Sequence, residues 1–170
     1  LSISLPQSIL VLKAHELYRQ GKTMDEVAAW LEENKSRSQA FFTVDDLTYL
    51  RRGGRISAVA ATVGTMLDLK PIITEGKNGK LLSTDKVRGR KQALRTLAEL
   101  AAQNIDDPAE AEMYVLHADA PEDADRLVQL LREKIPGLGN ISTRYVGPVI
   151  GAHCGPGTVA VCFFGKERPY

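Results

Sequence analysis

Two strand-like runs, Lys70 to Thr74 and Lys80 to Thr84, flank Lys77-Asn78-Gly79. Asn-Gly between such runs is the strongest short hairpin cue, because both residues accept the positive φ of a tight reversal. An antiparallel pair in mid-chain constrains everything after it. Beyond the pair, helices and strands alternate. Gly89 to Gln103 carries Leu94, Leu97, Ala98 and Ala101 on one helical face, and Glu112 to His117 reads as a strand. Pro121 to Lys134 is a helix with Pro in its first turn and Leu127, Leu130 and Leu131 inward. Ile141 to Val146 and Thr158 to Phe164 are the last strands, and Ala40 to Val44 is an earlier one. This order predicts an α/β fold, a mixed β-sheet flanked by helices.

The first part of the chain has no strand of its own. Ser8 to Arg19 reads as a helix with Ile9, Leu12 and Leu17 inward and Gly21 as its stop. Thr23-Met24-Asp25-Glu26 is a capping box that opens a helix ending near Asn34. The expected division is a helical segment 1–39, the tail of or linker from a preceding domain, and an α/β domain 40–170. Within the latter, Asp45 or Asp46 caps a short helix with Leu47 and Leu50, broken at Arg51-Arg52-Gly53-Gly54-Arg55. Ser57 is the expected cap of a further helix, Ala58 to Leu67.

Charge excludes little by itself. Lys and Arg number 22 against 21 Asp and Glu, so no global field calls for nucleic acid or a membrane surface. Two cysteines, Cys154 and Cys162, make no disulfide framework and fit buried thiols. No apolar stretch approaches a membrane span. No signal peptide is visible, so the cytoplasm is the expected compartment.

Three clusters invite a functional reading. Arg51-Arg52-Gly53-Gly54-Arg55 offers guanidinium groups beside a glycine turn, suited to an anion, or equally a solvated helix end. Lys86-Val87-Arg88-Gly89-Arg90-Lys91 puts four cations at a helix start, where the dipole prefers anions. An anionic partner would explain it, nucleic acid among them, yet no aromatic interleaving accompanies it. Val149 to Thr158 reads VIGAHCGPGT. One His, one adjacent Cys and a lone Cys162 do not make a zinc site. Adjacent side chains in an extended stretch point apart, which argues against a His153/Cys154 dyad. His153 stays open between a hydrogen-bonding or charge-pairing role and a bland loop residue. His117 before Ala118-Asp119 reads as strand-end structure.

Taken together, several separated motifs resemble one family. Phe42-Thr43-Val44-Asp45-Asp46-Leu47-Thr48-Tyr49-Leu50-Arg51-Arg52-Gly53-Gly54-Arg55-Ile56 looks like the signature of the DegV family. Ser57-Ala58 through Gly64, Leu69-Lys70-Pro71-Ile72, Lys86 to Arg90 and His153-Cys154-Gly155-Pro156-Gly157 resemble it in the same order. The resemblance implies a DegV C-terminal-like domain, the part that holds a long-chain, palmitate-like fatty acid for a fatty acid kinase. The family's N-terminal domain, with its aspartate-serine and serine-glycine motifs, has no counterpart in these residues.

By that resemblance His153 pairs with the fatty acid carboxylate, Gly155 and Gly157 shape its turn, and Arg55 meets the ligand. Arg52, Arg88 and Arg90 face the kinase catalytic subunit or the acyl phosphate. Ala61, Met66, Ile72 and Ile73 line the acyl chain, each buried methylene adding about 0.8 kcal/mol. The expected protein carries the acyl phosphate and performs no chemistry. It needs no cofactor or metal, binds no nucleic acid and has no stable membrane anchor. The competing readings are a hydrolase or transferase using His153, and a nucleic-acid-binding regulator using Lys86 to Lys91.

Overall fold

The hairpin forms. In the computed structural model, which describes Ser2, residues 4–55 and residues 68–170, β2 (Leu69–Glu75) reverses at Gly79 (φ 75°) into β3 (Leu81–Arg88). Asn78 Oδ1 accepts from Lys80 N at 2.9 Å and closes the turn. The expected helix 58–67, its cap Ser57, and the lining residues Ala61 and Met66 lie outside the described residues.

Before the hairpin come α1 (Ser4–Arg19), α2 (Met24–Asn34), β1 (Ser38–Thr43) and α3 (Thr48–Arg52). After it come α4 (Arg90–Asn104), β4 (Glu112–His117), α5 (Pro121–Lys134), β5 (Asn140–Tyr145), α6 (Pro148–Cys154) and β6 (Val159–Phe164). The sheet has six strands in the order β3-β2-β1-β6-β4-β5. Every pairing is antiparallel except β4 with β5, which α5 connects. The sheet is mixed and flanked by helices, as the alternation predicts.

Both capping-box bonds form at α2, with Glu26 N donating to Thr23 Oγ1 at 3.3 Å and Thr23 N to Glu26 Oε2 at 2.8 Å. At α3 the cap lies just outside the helix: Leu47 precedes it, and Asp46 Oδ1 accepts from Thr48 N at 2.8 Å. α1 differs from its expected orientation. Ile9 is buried against the sheet, whereas Leu12 is 47% exposed. α1 rests on the sheet through its N-terminal turns, and Ser38 Oγ donates to Pro6 O at 2.7 Å.

Period-two alternation along the central strands builds two separate cores. Phe41, Ile72, Met113, Val115, Val159, Val161 and Phe163 face α4 and α5, where Leu94, Leu97, Leu127 and Leu131 meet them. Ala40, Phe42, Ile73, Leu116, Ala160 and Cys162 face the other way, toward α1, α3 and α6. On β6 the sequence Val159-Ala160-Val161-Cys162-Phe163 therefore sends its large side chains to one face and its small ones to the other.

Candidate functional site

The small side chains leave space. Ala40, Ala160 and Cys162 form part of the wall of an apolar cavity of about 230 Å³ on the α1, α3 and α6 side of the sheet. Phe42, Leu50, Leu116 and Ile150 complete much of the rest. His153 and Arg55 also line it, so two side chains 98 residues apart in the chain meet at one cavity. At this end Val149 is 70% exposed and Arg55 is exposed. At the far end Glu75, Pro6 and Cys162 are buried.

A short helix positions His153. The extended stretch expected around His153-Cys154 is a correction: Pro148–Cys154 is α6, with Pro at its first turn and Gly155 (φ 79°) ending it. Thr158 Oγ1 donates to the carbonyls of Cys154 at 3.1 Å and Gly155 at 2.8 Å. His153 and Cys154 still do not form a dyad. Cys154 is buried, and burial pushes its thiol up to about 11, so it is protonated at neutral pH. Cys162 is raised further by burial and by the nearby Glu75.

Two motifs about a hundred residues apart are one piece of structure. A Cβ on Gly53 would fall on His153 Nδ1, one on Gly155 would fall on the Tyr49 ring, and one on Gly157 would lie 2.5 Å from Asp45 Cβ. All three separations are shorter than real Cβ contacts show. The chain 45–53 and the chain 153–157 thus run antiparallel, touching at three points where glycine permits backbone approach. This contact fixes where the His153 ring lies.

Arg90 belongs to that scaffold. Its Nε pairs with Asp123 Oδ2 at 2.7 Å and its Nη2 donates to Gly157 O at 2.6 Å. The expectation that Arg90 meets an external anion is therefore corrected: opening α4, it turns inward to the acid of α5 and the glycine turn. Arg52 and Arg88 are exposed, as an outward contact requires. Lys70 Nζ pairs with Asp45 Oδ1 at 2.5 Å, holding the other side of the turn.

Ile72 is also corrected. It faces α4 in the filled core, because strand alternation puts it opposite Ile73. Ile73 is on the cavity side but packs within its cluster and does not line the cavity. The lining missed in the sequence is Ala40, Ala160 and Cys162, and its signal was the small-large alternation along β6. His117 is structural: its Nδ1 accepts from Ala120 N at 3.3 Å, and its ring packs on Tyr145 with centroids 4.4 Å apart. Among the described residues no group of three His, Cys, Asp or Glu gathers in a metal-holding arrangement. No helix among them is long and apolar enough to cross a membrane.

The family described as "Uncharacterised protein, DegV family" matches residues 1–166. The chain belongs to the DegV family. A DegV domain-containing protein of Clostridium perfringens, CPE0026, is 42% identical over 164 residues, covering 96% of this chain and 56% of that protein. Protein DegV of Bacillus subtilis is 35% identical over 163 residues, covering 95% of the chain and 57% of that protein. The chain thus spans about half the length of the curated DegV relatives it matches. Among solved structures, the fatty acid binding DegV family protein SAG1342 from Streptococcus agalactiae superposes with a TM-score of 0.84. It is 31% identical, over 95% of this chain and 56% of that one. The fatty acid binding DegV of Bacillus subtilis gives a TM-score of 0.75 at 34% identity, over 95% of this chain and 57% of its own.

Proposed function

We propose that this chain is the lipid-binding, C-terminal part of a DegV protein that holds a long-chain fatty acid. The carrying observation is the apolar cavity with His153 and Arg55 at its open end. An acyl tail in the cavity gains about 0.8 kcal/mol per buried methylene, and the imidazole and guanidinium meet the carboxylate. A charge-assisted hydrogen bond there adds about 1.5–3 kcal/mol and orients the head group. The lipid-binding unit is residues 40–170 together with Ser38 and Gln39 of β1 and the start of α1, whose Ser4 and Pro6 line the cavity. Residues 1–39 lead in from a further domain, with the start of α1 laid across the cavity.

The protein presents the acid to a kinase catalytic subunit and carries the acyl phosphate. Arg52 and Arg88, exposed on the described surface, are the contacts for that partner or phosphate. No chemistry of its own is assigned: the buried Cys154 thiol, raised to about 11, is a poor nucleophile at neutral pH.

Organic extraction of the complete protein followed by mass spectrometry tests the reading. A co-purified long-chain acid, or uptake of palmitate in a titration, is the expected result. The absence of both bound lipid and uptake would overturn it. His153→Ala should weaken retention by roughly ten- to hundredfold, the equivalent of that hydrogen bond. Unchanged affinity would remove His153 from the head-group role.

A further inference from the structure

The far end of the cavity is built unlike its walls. Glu75, at the end of β2, lines the cavity and pairs with Arg168 across 2.9 Å. Each residue is 3% exposed. Arg168 Nε and Nη2 donate to Ser38 O at 3.0 and 2.8 Å, and Nη2 donates to Ser2 Oγ at 2.7 Å. Nη1 donates to Gly76 O at 3.3 Å. One guanidinium therefore ties the C-terminal segment to β1, to the end of β2 and to the residues leading into α1. Pro6 and Ser4 of α1 and Leu81 of β3 close the cavity around it.

Strand register places this assembly opposite the open end. Thr43 pairs with Val159, next to Thr158 and the turn that carries His153. Ala40 pairs with Cys162, three residues further along both strands. At about 3.3 Å per residue, that is roughly 10 Å along the sheet. Glu75 lies beyond Phe41↔Thr74 in the same direction.

A buried ion pair is a weak route to stability, because desolvating both charges offsets their attraction. At the end of an apolar cavity it does something an apolar plug does not. Leucine or phenylalanine side chains can change rotamer to admit one more methylene, at about 1–3 kcal/mol. A doubly charged pair with its hydrogen bonds made cannot move without leaving a buried charge or carbonyl unpaired.

We infer that the Glu75–Arg168 pair is the floor of the acyl site and sets the longest chain it accepts. This rests on the fatty-acid reading of the cavity. A chain that reaches the floor is bound fully. A longer one must either displace the pair or leave its carboxylate short of His153 and Arg55, so affinity falls abruptly with length.

The test offers the complete protein an equimolar series of saturated fatty acids of even carbon number from 6 to 22 and weighs what is retained. The expected wild-type profile rises with length and then breaks off sharply. Glu75→Leu combined with Arg168→Met removes both charges together, and its break should move up by at least two carbons or blur. Cys162→Met leaves the pair intact and fills the space beside it, at the same level of the sheet, so its break should move down by about two carbons. A gradual wild-type decline, or a break that stays put in either folded variant, overturns the floor. If the wild-type protein retains no acid at all, the fatty-acid reading fails and the floor with it.

Discussion

The two faces of the sheet are made from the same strands and do opposite things. Toward α4 and α5, alternate positions of β1, β4 and β6 are Phe41, Met113, Val115, Val161 and Phe163, and helix leucines fill the space between them. Toward α1, α3 and α6 the neighbouring positions are Ala40, Phe42, Leu116, Ala160 and Cys162, and beside the small Ala40, Ala160 and Cys162 a cavity of about 230 Å³ remains. The first face supplies the stability that the second lacks. Void space loses dispersion contacts along its whole lining, so a chain can keep such a cavity only if the other core is well filled.

This contrast can be attacked from both sides. Leu97→Ala on the filled face should cost about 3–5 kcal/mol in urea unfolding, because its surroundings are packed and relax only in part. Leu116→Ala on the cavity face should cost less, about 2–3 kcal/mol, since it enlarges a space that already exists. Equal losses would mean that the two faces are packed alike.

Gly155→Ala comes next in size. The new methyl would collide with Tyr49 at a backbone of φ 79°, so the variant should lose about 1–3 kcal/mol and disturb His153. An unaltered midpoint together with unaltered ligand affinity would show that the contact between the motifs is not required.

The smallest effect is one of pH. Cys154 has a folded value near 11 against an ordinary 9.0. Its neutral form favours the fold, so its contribution is full below about pH 9 and is lost as pH rises toward 11. Unfolding measured from pH 7.5 to 10.5 should therefore show stability falling above pH 9. Cys154→Ala should flatten part of that fall, and an unchanged slope would contradict the burial of the thiol.

How much of this could be read beforehand depended on length and period. The long helices α4 and α5 show a full 3.6-residue stripe, and β4 ends where its composition says. α6 escaped because seven residues, PVIGAHC, carry too few turns to display a period and include a glycine and two β-branched residues. The cavity escaped for another reason. A run such as VAVCFF announces a buried strand, but the empty space comes from what is small on one face, and that shows only when the strands are laid side by side. Arg90 misled because four cations at a helix start look like a surface, whereas Asp123 that receives one of them lies 33 residues away.

The contact between Gly155 and Tyr49 has a magnetic consequence. Where a Cβ would collide with the ring, glycine holds an α-proton, and that proton points at the aromatic ring. Ring current will shift its resonance away from the usual glycine range. The chemical shift of one proton thus reports whether the two motifs are engaged, and it can be followed while a lipid enters or leaves.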